Sequence, residues 1–132
     1  TKDHHRRGIY IHVQRTLTHP MLAVFDVADG NQPCFRRDRS TTPMQALTLL
    51  NDPVYVEAAQ ALGARLRKAE IERDARLRHG FRLCLGRLPS DRELNVLGSL
   101  VETQKKLGAS EDAIWIGVAR TFLNLDEFIT RE

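Results

Sequence analysis

The chain has 132 residues and a formal charge of +3, with 42% apolar and 28% charged residues. This composition is typical of one globular domain, because a chain of this size buries about two-thirds of the surface that it exposes when unfolded. No apolar run approaches the roughly 20 residues of a membrane span, and the N-terminus lacks the apolar stretch of a signal peptide. We therefore predict a single helical domain over residues 1–132, with any export signal outside this chain.

The first 40 residues are predicted to form an extended segment followed by a loop. The stretch from Gly8 to Val13 has the β-branched and aromatic content of a short strand, but no second strand follows to pair with it. We expect it to lie extended against the helices. The stretch from Asp26 to Ser40 contains an Asp-Gly pair, a proline and a cluster of charges, which predicts an ordered loop.

Two proline-containing signals predict the first two helices. Thr42 and Gln45 form a capping box around Pro43. The threonine hydroxyl accepts a hydrogen bond from the backbone N–H of Gln45, and the glutamine side chain accepts one from the backbone N–H of Thr42. The first helix therefore begins at Pro43, and it ends near Asn51. A second helix begins at Pro53 and is capped by the preceding aspartate, because proline disfavours helical geometry in the residue before it.

Further caps and an apolar period predict three more helices. A third runs from about Ile71 to Leu85, a fourth opens at the Ser90 capping box and ends before Gly108, and a fifth begins after Ser110. We predict an all-α fold of about five helices in a compact bundle over residues 41–132. The predicted buried faces of the second to fifth helices are, in that order, Val54, Tyr55, Ala58, Leu62 and Leu66; Leu77, Phe81, Cys84 and Leu85; Leu94, Leu97, Leu100, Val101 and Leu107; and Ile114, Trp115, Val118, Phe122 and Leu125.

Arginines before the first predicted helix are the most informative charged feature. The chain has sixteen arginines and four lysines, and the planar guanidinium suits carboxylates and phosphates. If Arg36, Arg37 and Arg39 face water, they form a polyanion-binding patch. Otherwise they pair with acids, and we expect this ion network because cations beside a helix N-terminus need a compensating anion. The candidate acids are Asp26, Asp29, Asp38, Asp126 and Glu127.

No catalytic or metal-binding motif stands out. The hydroxyls at residues 40–42 lack a glycine-rich elbow and a nearby histidine, and Asp26 and Asp29 are too few for a calcium loop. His4 and His5 with the preceding aspartate could begin a metal site, but a frayed terminus fits better. No CxxCH is present, so we predict no haem and no bound metal in this chain.

The two cysteines, Cys34 and Cys84, have no CxxC spacing. A long-range disulfide or two buried thiols would each fit the sequence, and we expect the buried thiols, since free cysteine is among the most buried residue types.

Four stretches in a fixed order resemble the C-terminal part of a planctomycete-type domain of unknown function, domain of unknown function 1553. They are HHRRGIYIHVQRTLTHPMLAVFDVAD, RRDRSTTPMQALTLLND, FRLCLGRLPSDREL and FLNLDEFITRE. The resemblance implies a domain at the end of large exported or periplasmic proteins, behind a cytochrome c domain and a companion domain. It further implies an upstream helical portion of the same domain, haem only in the separate cytochrome domain, and neighbouring domains as partners.

The resemblance also selects residues without giving them a catalytic role. Where the family has a loop cysteine this chain has Pro33, which separates Cys34 from that pattern. The matching positions are Arg6, Arg7, Tyr10, Pro20, Phe25, Asp26, Asp29, Arg37, Arg39, Thr42, Pro43, Gln45, Ala46, Leu47, Asn51, Phe81, Gly86, Arg87, Pro89, Glu93, Asn124, Glu127 and Phe128.

Combining the charge pattern with the resemblance gives one candidate structural or binding cluster. We expect it to belong to a non-catalytic interaction or structural module with a protein partner. A module that binds nucleic acid or sulfated polysaccharide is an alternative. Part of an enzyme site completed by the upstream portion, with a cleft of Arg37, Asp26 and Glu127, is another. The cluster comprises Asp26, Asp29, Arg36, Arg37, Arg39, Thr42, Gln45, Asn51, Asn124 and Glu127.

Overall fold

The computed structural model describes residues 7–12, 14, 16–28, 30–36, 40–69 and 72–130. Within these ranges the chain forms seven α-helices and one short 3-10 helix and no strand, which confirms the predicted all-α class. The 3-10 helix spans Gly8–Tyr10, and the α-helices are α1 (Pro20–Val24), α2 (Pro43–Asn51), α3 (Pro53–Ala69), α4 (Arg73–Leu85), α5 (Asp91–Lys106), α6 (Glu111–Leu123) and α7 (Asp126–Ile129).

The chain divides into two compact units, unit 1 (Thr1–Val54) and unit 2 (Tyr55–Glu132). Unit 1 holds the 3-10 helix, α1 and α2, with α1 packed against α2. In unit 2, helices α4, α5 and α6 pack against one another, and α7 packs against α4 and α6. The single domain predicted over residues 1–132 stays a prediction.

The predicted caps start the helices where the sequence placed them. Thr42 Oγ1 accepts from the backbone N–H of Gln45 at 3.2 Å, and Gln45 Oε1 accepts from the N–H of Thr42 at 3.1 Å. Asp52 Oδ1 accepts from the N–H of Val54 at 2.9 Å at the start of α3. Ser90 begins α5 with a second capping box. These side chains satisfy N–H groups that have no partner inside the helix.

The core of unit 2 is built from the apolar faces of α3 to α6. Phe81 and Phe122 meet edge to face with ring centroids 5.2 Å apart, an arrangement that aromatic pairs favour. Trp115 is 3% exposed. The buried cluster comprises Leu66, Leu77, Phe81, Leu94, Leu97, Val101, Ile114, Trp115, Val118 and Phe122, which confirms most of the predicted faces.

Two predicted core positions are wrong. Ala58 is exposed, and the buried face of α3 instead carries Ala59, Gly63 and Leu66. That face is centred on a glycine because the backbone of α6 approaches α3 there. Leu107 is 79% exposed because α5 ends at Lys106, so the next residue no longer follows the helical period.

The N-terminal segment also differs from the prediction. Residues 8–10 form a 3-10 helix in place of extended backbone, with the N–H of Tyr10 donating to the carbonyl of Arg7 at 2.9 Å. Ile9 and Tyr10 are exposed. Since the described ranges contain no partner strand, this stretch satisfies backbone groups by local i to i+3 hydrogen bonds. Helices α1 and α7 were not predicted; each has fewer than six residues, too few for an apolar period to show.

The cysteine prediction is wrong for one thiol. Cys34 is exposed in the loop, where its Sγ donates to the carbonyl of Arg36 at 3.2 Å. Cys84 is half-buried against the core of unit 2, and burial raises the pKa of its thiol. Both thiols are free.

Replacing Thr42 with alanine is expected to lower the free energy of unfolding by about 1 kcal/mol, the usual worth of an N-cap. The hydroxyl is the acceptor for the Gln45 N–H, and alanine leaves that donor without its partner. Urea unfolding followed by circular dichroism measures the change. Thr41→Ala, at an exposed neighbouring hydroxyl outside the capping box, is the matched control. Equal losses in the free energy of unfolding from Thr42→Ala and Thr41→Ala would contradict a stabilising role of the Thr42 cap.

Candidate functional site

A buried glutamine organises the polar cluster of unit 1. Gln45 is 6% exposed, and its Nε2 donates to the carbonyl of Val24 at 2.9 Å, to Ser40 Oγ at 3.2 Å and to Asp26 Oδ2 at 3.3 Å. Ser40 also donates to the Asp26 carboxylate, through its backbone N–H and its hydroxyl, each at 2.8 Å. The cluster therefore joins the turn after α1 to the residues before α2.

The Asp26 carboxylate is held as a hydrogen-bond acceptor. Its pKa lies below the ordinary value because the backbone N–H of Ser40 donates to it, followed by the Ser40 hydroxyl. Asp26 also adopts a φ of 54°, in the left-handed region that aspartate tolerates better than most residues. A carboxylate with a lowered pKa is a weak general base at neutral pH. The Asp26 carboxylate therefore has a structural role, because its hydrogen bonds hold the loop at Ser40 and the start of α2 in place.

Part of the predicted cluster lies elsewhere or outside the described ranges. Asp29, Arg37 and Arg39 belong to the residues that the structure does not describe, so their ion network stays a prediction. Arg36 is exposed on the loop. Within the described part of the chain, the hydrogen-bond partners of Asp26 are Ser40 and Gln45.

The two candidate asparagines stabilise helix ends. Asn51 Nδ2 donates to the carbonyl of Leu47 at 2.9 Å in the last turn of α2. Asn124 Nδ2 donates to the carbonyl of Arg120 at 2.8 Å at the end of α6. In each case the amide donates to the carbonyl four residues earlier, and the Arg120 carbonyl also accepts from the backbone N–H of Asn124 at 3.2 Å. Neither asparagine joins the Asp26 cluster through these bonds.

Glu127, the last predicted member, belongs to a different network in unit 2. Arg87 donates to both carboxylate oxygens of Glu127, with Nε to Oε1 at 2.8 Å and Nη2 to Oε2 at 2.7 Å. It also donates to both oxygens of Glu93, at 2.7 and 3.0 Å. The Arg87 guanidinium lies 5.2 Å from the centre of the Phe81 ring. We call these three charged residues the Arg87 hub.

The Arg87 hub connects three segments of unit 2: the turn after α4, the capping box of α5, and α7. The Arg87 guanidinium, followed by the backbone N–H and hydroxyl of Ser90, lowers the pKa of Glu93 to about 2, and the guanidinium lowers the pKa of Glu127 as well. All three groups are thus charged at neutral pH and paired with one another. Charge pattern and spacing did not predict this cluster, although Arg87, Glu93 and Glu127 all lie among the positions that the resemblance selected.

Substituting Arg87 with glutamine is expected to weaken the acid dependence of stability. Because Glu93 has a lowered pKa in the folded chain, its contribution is present above the ordinary value of 4.5 and is lost as pH falls towards about 2. Glutamine removes the charge that lowers this pKa most strongly, while the hydrogen bonds from Ser90 remain. Urea unfolding at neutral pH and at about pH 3 measures the loss. The exposed Arg92→Gln is the control, and an acid dependence that Arg87→Gln leaves intact would contradict the assignment.

The described residues hold no group of three or more histidine, cysteine, aspartate and glutamate side chains placed to bind a metal. Asp3, His4 and His5 lie outside those ranges, so the metal expectation stays a prediction. Among the helices of the described ranges, none combines the length and the apolar content that crossing a bilayer requires.

Comparison with known proteins finds one family. The family model PSD1, described as a protein of unknown function (DUF1553), matches residues 1–101. This range includes the Asp26 cluster and all of α2 to α4. Neither a curated protein nor a solved structure gives a significant match.

Proposed function

This chain belongs to the DUF1553 family of proteins of unknown function, and we propose that it is a non-catalytic interaction module. The larger protein would be an exported, cytochrome c-associated planctomycete protein in which this chain contributes the C-terminal part of the family domain. Haem would reside in the separate cytochrome domain. The order of the four sequence stretches supports this placement.

The observation that carries the proposal is that α2 has apolar side chains on both sides: Leu49 is buried together with Gln45, and a second apolar row is exposed. The polar Gln45 is buried at 6% exposure, whereas Met44 and Leu47 are 61% and 55% exposed. Leu50 continues this stripe at 40% exposure, three residues further on. An isolated surface helix normally turns its apolar side chains inward and its polar ones outward. We call Met44, Leu47 and Leu50 the α2 stripe.

The composition of α2 favours a permanent partner for the stripe. The helix PMQALTLLN contains no charged residue, and its exposed side also carries Pro43 and Ala46. Interfaces that stay closed are more apolar than transient ones, and their centres are depleted of charge. We therefore propose the upstream helical portion of the same family domain as the partner that covers the α2 stripe.

The chemistry of the described polar groups supports a non-catalytic role. Asp26 is clamped by hydrogen-bond donors, and Glu93 and Glu127 are bound to Arg87. Groups that act as general acids or bases near neutral pH have pKa values close to it, whereas these three carboxylates have lowered ones. Ion pairing in the Arg87 hub also counts against the polyanion-binding alternative there.

The full-length protein provides the test of this proposal. Leu47→Gln places a polar amide in the proposed interface, so limited proteolysis should release the neighbouring portion faster than in the parent protein. Val96→Gln is the matched control, since Val96 is 61% exposed on α5 and lies outside the α2 stripe. Equal release in both variants would contradict the proposal. If the α2 stripe instead joins two copies of the chain, the parent protein would be a dimer in solution and Leu47→Gln would be a monomer.

A further inference from the structure

A cleft in unit 2 is independent of the α2 stripe and of the Arg87 hub. It has a volume of about 580 Å³ and lies among α4, α5 and α6. Its apolar wall comes from Val101, Ile114 and Trp115, which are buried. The remaining lining residues are Ala109 and four charged ones: Arg73, Arg76, Lys105 and Glu111.

The ion pair between Arg76 and Glu111 lies on the charged side of this cleft. Arg76 Nη1 donates to Glu111 Oε1 at 2.7 Å, and the Arg76 guanidinium carbon lies 5.1 Å from the centre of the Trp115 ring. The Arg76 side chain is 13% exposed, whereas that of Glu111 is 58% exposed. The cation is thus held in place by packing, while the carboxylate extends into solvent and can move away.

Several cations act on the position that the Glu111 carboxylate occupies. Arg76 lowers the pKa of Glu111 most strongly, and the charges of Arg67 and Lys105 lower it further. Among the described residues, two further acids of α5 and α6 have partners: Asp112 pairs with Arg67, and Glu102 pairs with Arg73 and Lys105. Glu111 is also the first residue of α6, where the helix dipole favours negative charge.

We propose that this cleft binds a small oxyanion, such as a phosphate or sulfate group, at the position that the Glu111 carboxylate now occupies. The Arg76 guanidinium offers the planar donors that suit two oxygens of such a group. Lys105 supplies a second cation on the rim of the cleft. Glu111 then acts as an internal competitor, which swings out when the external anion arrives.

The competition makes a distinctive prediction for substitutions. Glu111→Gln removes the competitor and should tighten binding of inorganic phosphate about two- to fivefold, the factor that corresponds to an exposed ion pair of up to about 1 kcal/mol. Arg76→Gln removes the principal donor and should abolish binding, and Lys105→Gln should weaken it. Asp91→Asn neutralises the first residue of α5 in the same way but far from this cleft's lining, so it should behave like the parent chain.

Phosphate and sulfate titrations on the full chain test this inference, with chloride and acetate at matched ionic strength as comparisons. Trp115 is the only tryptophan, so its fluorescence reports on the residue beneath Arg76. The shift in melting temperature gives a second readout. Both tetrahedral anions stabilise proteins generally by exclusion from their surface, so the difference between variants is the measured quantity.

The proposal is supported if Glu111→Gln binds phosphate more tightly than Asp91→Asn while Lys105→Gln binds it more weakly. It is overturned if Glu111→Gln and Asp91→Asn respond alike, or if the arginine and lysine variants keep the parent response. Arg76→Gln also removes the group stacked on Trp115, so its circular dichroism spectrum is compared with that of the parent. If that variant unfolds, Lys105→Gln and Glu111→Gln decide the result by themselves.

Discussion

Trp115→Ala is expected to lower the free energy of unfolding by about 3 to 5 kcal/mol, the range for removing a large aromatic side chain from a packed core. The indole is 3% exposed and packs in the core of unit 2 with Ile114, Val118 and Phe122. Alanine would leave a cavity and would expose the arginine that covers the ring. Urea unfolding followed by circular dichroism measures the loss, because the tryptophan signal is absent from the variant.

The control for this substitution is Leu107→Ala. The helical period of the sequence predicts burial for both residues, whereas the structure leaves Leu107 79% exposed beyond the end of α5. We expect this substitution to change stability by no more than about 0.5 kcal/mol. A large loss from Leu107→Ala, or a small one from Trp115→Ala, would contradict the described core.

Gly63→Ala is expected to destabilise the chain by about 1 to 3 kcal/mol through overpacking. A Cβ atom at Gly63 would lie 2.9 Å from the backbone nitrogen of Ile116 and 3.0 Å from the carbonyl carbon and oxygen of Trp115. These are backbone atoms of α6, so α3 and α6 would have to separate. The clash outweighs the gain of about 1 kcal/mol that alanine has over glycine within a helix.

The matched control is Gly117→Ala, a glycine inside α6 where the new Cβ has space. The new Cβ would lie 3.9 Å from Gln104 Nε2, an ordinary contact distance. We therefore expect this substitution to stabilise the chain by about 0.5 to 1 kcal/mol. Melting temperatures of the two variants should move in opposite directions. Shifts of the same sign would show that space around the glycines does not decide the outcome.

Local signals in the sequence predicted the longer helices well. The boxes at Thr42 and Ser90 act within a single turn, so their geometry depends on neighbours in the sequence and little else. The same holds for Ser110, whose hydroxyl accepts from the N–H of Ala113 at the start of α6. Elements without such a signal, such as α1 and α7, could not be predicted from an apolar period.

Local sequence patterns could not predict contacts between residues that lie far apart in the chain. The close approach at Gly63 depends on α6, about fifty residues further along the chain, and nothing near this glycine indicates it. The burial of Gln45 likewise depends on three acceptors that precede α2, including the carbonyl of Val24. A glutamine in a capping box is predicted at the helix start, but not as the centre of a polar cluster.

The candidate site was predicted in part. Thr42, Gln45 and Asp26 do come together with Ser40 at the start of α2, although the expectation for this corner was an arginine network. Glu127 pairs with Arg87, and its predicted pairing with the arginines before α2 stays a prediction. Charge counting identifies which residues can pair, but many arginines compete for each acid, and packing of the helices selects the partner.

Oxidation of Met44 is the measurement that tests the central claim most directly. Methionine oxidation by peroxide depends on exposure of the sulfur, and Met44 is 61% exposed in this chain. Met21, which is half-buried in α1, provides the internal reference as the other methionine of the chain. We predict that Met44 oxidises readily in the isolated chain and is strongly protected in the full-length protein, because the α2 stripe is covered there. Equal oxidation rates of Met44 in the two forms would contradict the proposed interaction module.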